Sequence, residues 1–188
     1  MNLSWSHKLF LKINSSIGKN PRRDSVMIFS AKMLVFIMLA LALAYGIVVW
    51  SWGNGGWLRM YINFCIGAFV CSEIVSYGFA LLFRHPRPRI EFPESKQLIH
   101  TVGTWKSFPS DHAIGSFCIA GALLFVPATP VLMIIFFYFL ACLVSFSRVY
   151  VGVHYPRDII GGCILAHGIL WSFPWIIAHI IEPIARLW

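Results

Sequence analysis

Two histidines, two arginines, a serine and an aspartate occupy three short stretches. These are FRHPRPR (Phe83 to Arg89), FPSDH (Phe108 to His112) and SRVYVGVHYPRD (Ser147 to Asp158). Arg87 and Arg148 are permanently charged forks that match phosphate oxygens with paired hydrogen bonds. Ser110 precedes an apolar run, so it and the amides after it stand at an expected helix start, which attracts anions. His112 and His154 can both move protons near neutral pH. Asp158 follows His154 by four residues. If the last helix opens near Pro156, a favoured first helical residue, Asp158 falls in its first turn. From there it can accept a hydrogen bond from one ring nitrogen of His154, which fixes the tautomer and leaves the other nitrogen free to attack.

That set suits phosphoryl transfer to histidine. His154 would attack phosphorus, and His112 would protonate the leaving oxygen and then activate water. Arg87, Arg148 and Ser110 would hold the equatorial oxygens, where transition-state charge develops. The arginines supply the neutralising charge, so no metal and no cofactor is expected. A single His or Arg at the end of a span is usually a side chain reaching for the interface. Six such groups converging on one face are a different matter.

The elements that must position them are membrane helices. The chain of 188 residues is 59% hydrophobic and 12% charged, with a mean hydropathy of +0.75. Soluble domains are roughly 45–50% apolar. Residues 33–58, 113–147 and 159–181 contain no Asp, Glu, Lys or Arg, and a spanning helix needs only about 20 apolar residues. Residues 60–83 form another apolar segment, interrupted by Glu73, and VPATP (Val126 to Pro130) divides the longest run. The pattern predicts an all-α polytopic bundle with spans near 27–52, 58–83, 110–126, 130–147 and 158–181. Leu3, Phe10, Ile13 and Ile17 recur at helical spacing, which predicts a short N-terminal interfacial helix. No signal peptide is expected, and residues 1–188 read as one integral-membrane domain. The five cysteines all fall in apolar spans without a C-x-x-C pair and read as packing.

Five spans put the N-terminus and the loops 84–109 and 148–157 on one side, which carries most of the net charge of +8. The other side holds little beyond Arg59 and Arg186. Positive loops ordinarily stay in the cytoplasm. The same charge also describes an anion-binding mouth, and the two readings oppose each other on orientation.

Arg87–Pro88, PSDH at 109–112 and SRVYVGVHYPRD at 147–158 resemble the three signature motifs of the type 2 phosphatidate phosphatase superfamily, from about Leu82 to Gly162. The third motif matches fully. The resemblance implies a helical membrane bundle that hydrolyses lipid phosphates. It implies His154 as nucleophile, Asp158 as its orienter, His112 as acid and base, and Arg87, Ser110 and Arg148 as the phosphate clamp. The chain departs from the family at two points. Ala80 stands where the first-motif Lys is expected, and Arg84 or His85 would have to replace its charge. Asp111 stands where the second motif has Gly; it would hold His112, bind a loop partner or help discriminate a pyrophosphate. FPSDH, the His before Arg-Pro and the small chain look like the undecaprenyl-pyrophosphate phosphatase branch, which recycles the bacterial cell-wall lipid carrier. The implied partner is a polyprenyl pyrophosphate among membrane lipids, with no nucleic acid and no obligate protein partner. Its branch implies a bacterial plasma membrane and an extracytoplasmic site. Another lipid phosphate as substrate, or a non-catalytic lipid-phosphate binder, are the competing readings.

Secondary candidates are weaker. Glu73, beside Ser72 and Ser76, is an intramembrane acid and so a functional candidate. His100, Lys96 and Lys106 line the long loop and are candidates to gate or greet a head group, with a solvated loop as the favoured reading. His167 and His179 read as packing or interfacial. Phe83, Phe108 and Tyr155 are candidates to meet the first isoprene units. Trp50, Trp52, Trp57, Trp171, Trp175 and Trp188 fit interface belts.

Overall fold

Helix boundaries follow local chemistry. The computed structural model describes residues 3–51, 53, 55–101, 103 and 105–185, so Trp52, Arg186 and Trp188 lie outside the described residues. Ser4 accepts from the His7 amide and opens α1, Trp5–Asn14. Asn20 caps α2, Pro21–Lys32, with Pro21 in its first turn. The apolar run then forms α3, Leu34–Ser51, and α4, Gly55–Leu82. A short α5, Pro88–Glu91, sits in the long loop. α6, Asp111–Ala122, continues as a 3₁₀ turn over Leu123–Phe125 until VPATP stops it. α7 runs Val131–Tyr150 and α8 Pro156–Ile176, after which the chain winds more widely over Ile177–Ile181.

The bundle is built around α6, which packs against α3, α4, α7 and α8. Every residue from Ala113 to Leu123 is buried. Glycine permits the closest of these contacts. A Cβ on Gly162 would lie 2.9 Å from Ser110 O and 2.9 Å from Ala113 Cβ. Four helices are long and apolar enough to cross a membrane: Leu34–Ser51, Gly56–Leu82, Val131–Tyr150 and Pro156–Ile181. Large side chains such as Leu82, Leu132 and Trp171 are exposed on them, as lipid contact requires. The protein is a multi-pass membrane protein.

Three expectations change. The segment 110–126 carries the chain from one end of the bundle to the other, but as a shorter helix than the other spans. Its 15 residues, Asp111–Phe125, reach only about 22 Å at 1.5 Å per residue, against a core of about 30 Å. It is a central helix that the other helices shield from lipid. The expected span 27–52 is divided at Met33, leaving Lys32 at a helix end instead of inside a span. Trp57 is buried, stacked on Tyr61 with Nε1 donating to Thr129 Oγ1 at 3.1 Å, not part of an interface belt.

α1 lies across α7 and α8. Phe10 is buried against Val149 and Tyr155, while Trp5 and Leu9 remain exposed. The long loop is clasped to the N-terminal segment. Asn14 Nδ2 donates to Lys96 O at 2.7 Å, the Lys96 amide donates back to Asn14 Oδ1 at 3.0 Å, and Lys96 Nζ donates to Ile17 O at 2.9 Å. Lys96 is thus a fastening and not a solvated loop residue.

Candidate active site

The three motifs meet at one end of the bundle. Arg148 is in the last turn of α7. The chain then turns sharply through Gly152, whose φ is +85° and where a Cβ would fall 2.2 Å from Lys96 O. Only glycine suits that backbone and that gap. The turn delivers His154, and Pro156 starts α8 directly after it.

Asp158, in the first turn of α8, is fully buried. Its Oδ2 accepts the Tyr155 amide at 2.8 Å and Ser107 Oγ at 2.6 Å, and stands 3.5 Å from His154 Nδ1. The other ring nitrogen, Nε2, lies 3.4 Å from Arg87 Nη1. A guanidinium can only donate, so Nε2 faces it as an acceptor, and the proton belongs on Nδ1 beside the carboxylate. Both neighbours select the same tautomer. Burial pushes the imidazole of His154 down to about 4, with Arg148 acting in the same direction and the Asp158 contacts opposing it. At neutral pH the ring is uncharged, with a lone pair on Nε2 directed to the arginine side.

Arg87, the residue before α5, is held by its own bonds: Nε donates to Gly103 O and Nη1 to Val153 O, each at 3.1 Å. Arg148 is buried; its Nη1 donates to Ala31 O at 2.9 Å and its Nε has no partner among the described residues. Ser110 precedes α6 with a buried Oγ that has no partner among the described residues, and its amide donates to Asp158 O at 3.1 Å. The first amides of a helix have no partner within it. Orphaned donors beside two arginines are what an oxyanion needs.

A cavity of about 420 Å³ is lined by Arg87, Asp111, His112, Arg148 and His154, with Lys32, Tyr77 and the loop residues Ile99, His100 and Thr101; Ser110 and Asp158 are fully buried and not in that lining. Arg84 and His85 are not in that lining. Arg84 is exposed, and His85 stacks near Phe79 and Phe108 with Nδ1 on Phe83 O at 3.0 Å. Ala80 is buried. The nearby cation is instead Lys106, which is buried, pairs with Asp111 and lies 4.3 Å from the centre of the Tyr77 ring. Glu73 lies beside Asp111. Lys106 is delivered by a loop pairing, in which the Ser107 amide donates to His85 O at 2.9 Å. No group of three or more His, Cys, Asp or Glu able to hold a metal occurs among the described residues.

Sequence reasoning missed Ser107, Lys32 and Tyr77, and favoured a solvated loop both for Lys106, which is buried, and for His100, which lines the cavity. Ser107 precedes FPSDH by one residue, yet nothing in its neighbours marks it as a partner of Asp158. Tyr155 was misplaced: it is fully buried under α1, with Oη donating to Glu91 Oε2 at 2.5 Å, and cannot line a lipid path. Phe83 is exposed. Phe108 does line an apolar groove of about 300 Å³ between α4 and α8 with Phe79, Ile164 and Leu165.

Residues 58–181 match the model of the PAP2 superfamily. The chain is 34% identical to YbjG of Escherichia coli (strain K12), provisionally named an undecaprenyl-diphosphatase, over 91% of this chain and 84% of that protein. It is 27% identical to the undecaprenyl-diphosphatase BcrC of Bacillus subtilis (strain 168), over 86% of this chain and 78% of that one. In fold it is similar to the crystal structure of Aquifex aeolicus LpxE, with a TM-score of 0.73 at 21% identity, covering 90% of this chain and 94% of the other.

Proposed function

The chain belongs to the PAP2 superfamily, and from that premise we propose that it hydrolyses undecaprenyl diphosphate to the monophosphate and inorganic phosphate. The observation that carries the chemistry is His154: buried, uncharged, with Nδ1 toward Asp158 and Nε2 beside Arg87 at the cavity. The substrate class follows the names of the relatives YbjG and BcrC.

On this reading Nε2 attacks the terminal phosphorus. An N–P bond forms and the bond from phosphorus to the bridging oxygen breaks. Burial, with Arg148 and His154 adding to it, pushes the His112 imidazole down to about 3 in the protein alone. The anionic diphosphate offsets the arginines and brings His112 its proton, which it gives to the bridging oxygen as lipid monophosphate leaves. Water then attacks the phosphohistidine, His112 takes its proton, and orthophosphate departs with the N–P bond. Arg87, Arg148, Ser110 and the amides at the start of α6 meet the charge on the equatorial oxygens. Asp158 holds the Nδ1 proton and supports the charge that His154 acquires. The arginines do the neutralising, so the reaction proceeds without a metal. The apolar groove at Phe108 takes the first isoprene units, since Phe108 and Pro109 lead directly into Ser110.

The membrane is a bacterial plasma membrane and the site faces its outer side. Part of the basic excess near the site has work there unrelated to topology. Arg23 donates to Tyr150 Oη and Ser16 O, and Lys96 to Ile17 O. A cysteine at exposed Glu94, in the long loop, reports the face: labelling of intact cells by an impermeant thiol reagent is expected, and labelling only after lysis reverses the assignment.

The activity is tested by phosphate release from undecaprenyl diphosphate by purified protein in detergent with EDTA, beside His154→Ala. Release by the wild type alone is expected. A folded wild type that releases nothing, with or without magnesium, refutes the reading.

A further inference from the structure

The cations around the cavity differ in what already occupies them. Arg87 and Arg148 flank the reacting histidine. Lys106 is committed, because it pairs with Asp111 and stacks over Tyr77, out of solvent. Withdrawing it to meet a phosphate would leave the Asp111 carboxylate bare in the wall of an anion site. Lys32 is different. It lines the same cavity, is exposed, and has no carboxylate within ion-pairing distance among the described residues.

Its position is built and not incidental. α2 ends at Lys32, and the chain breaks at Met33 before entering α3. Arg148 Nη1 donates to Ala31 O at 2.9 Å, so the peptide next to Lys32 is tied to an arginine of the site. The end of α2 and the end of α7 therefore stay together, and Lys32 is set at the mouth of the cavity.

Two arginines and a helix start match one phosphoryl group. A lipid diphosphate brings a second, also ionised, which must stay bound while the first is transferred. About 420 Å³ leaves room for both, since a water takes about 30 Å³. With Lys106 neutralised by Asp111, Lys32 is the permanently charged side chain of the described lining, beyond the two arginines, that can meet the second group, and His100 lines the same wall. We propose that Lys32 binds the phosphoryl group the lipid retains, and so makes the site selective for diphosphates over monophosphates. This deepens the reading of His154 as the phosphoryl acceptor and rests on it. Lysine suits the role: its ammonium is a compact point charge on a flexible stem, able to follow a group that leaves with the lipid.

The test uses the full chain in detergent, with a prenyl diphosphate and the matching prenyl monophosphate as substrates. Lys32→Met is expected to lower kcat/KM for the diphosphate by about 10- to 100-fold, the range for losing a charged hydrogen bond. The ratio of diphosphate to monophosphate kcat/KM should fall at least about 5-fold, and Lys32→Arg should recover most of it. An equal fall on both substrates, or no fall, overturns the proposal. Calorimetric binding of inorganic pyrophosphate and of orthophosphate gives an arm independent of turnover. Lys32→Met should weaken pyrophosphate more than orthophosphate, and equal weakening overturns the proposal even if the wild type cleaves no prenyl diphosphate. Absence of that cleavage would refute the activity and leave the binding arm to decide on Lys32.

Discussion

At the cavity end of the bundle, His154 has Nδ1 3.5 Å from a buried carboxylate and Nε2 3.4 Å from a guanidinium, beside open space. Within α8, His167 has Nδ1 2.8 Å from Cys163 O and Nε2 2.7 Å from Tyr138 Oη. Both rings sit in a largely apolar bundle, but His167 is saturated by its neighbours while His154 is held on one side and open on the other. The same contrast separates the surroundings. Beside His154 are buried donors without partners among the described residues, Ser110 Oγ and Arg148 Nε. Beside His167 are Phe117 and Tyr138. A polar group with every position filled stabilises a fold. One left unfilled costs about 1–3 kcal/mol, and beside the cavity a phosphate oxygen can fill it.

The largest effect expected of this contrast is in turnover. His154→Ala should lower kcat by about 10³-fold or more, while His167→Gln should leave it within about 2-fold and lower stability by about 1 kcal/mol. Phosphate release and thermal melting in detergent measure the two; a comparable loss of activity in both variants would erase the distinction. Asp158→Asn comes next. It keeps the shape and removes the charge that holds the Nδ1 proton, so kcat should fall about 10²-fold or more with KM little changed. A loss confined to KM would show that Asp158 only shapes the pocket.

Lys106→Met should cost about 10-fold in kcat/KM, because Asp111 is left as a bare carboxylate facing an anionic substrate. Adding Asp111→Asn should restore part of that loss, and strictly additive losses would show that the two do not act as a pair. The smallest effect is in the pH dependence of stability. The folded pKa of His154 is about 4, below the unfolded value of about 6.5. Between these values the unfolded chain binds the proton and the folded chain does not, so stability falls as pH drops from about 6.5 toward 4. His154→Asn should flatten that part of the melting profile, and an unchanged profile would mean that other groups set it.

Much of the site was legible because its key contacts are local. The spacing His154 to Asp158, with Pro156 between, puts the carboxylate in the first turn of α8 by helix geometry alone. Ser110 at a helix start and Arg148 at a helix end follow equally from where the apolar runs begin and stop. Lys106 was illegible for the opposite reason. Lys96 and Lys106 look alike in a polar loop, yet one fastens Ile17 and the other is buried against Asp111. Which is which depends on the pairing of His85 with Lys106 and the grip of Asn14, contacts between segments far apart in sequence. Tyr155 failed likewise, since α1 covers it.

By itself, then, the sequence determined an all-helical membrane protein, where most of its apolar helices lie, and a histidine set beside an aspartate at the end of one of them. Period, length and four-residue spacing carry those, because the backbone's own hydrogen bonds enforce them wherever the helix sits. Only the tertiary structure decided that α6 is a short shielded centre and that Ser107 completes the hold on Asp158. It alone decided that Lys106 is spent on Asp111 while Lys32 stands open to the cavity. Those depend on which helix faces which and how deeply each charge is buried, and burial is a property of the assembled bundle that no local spacing encodes.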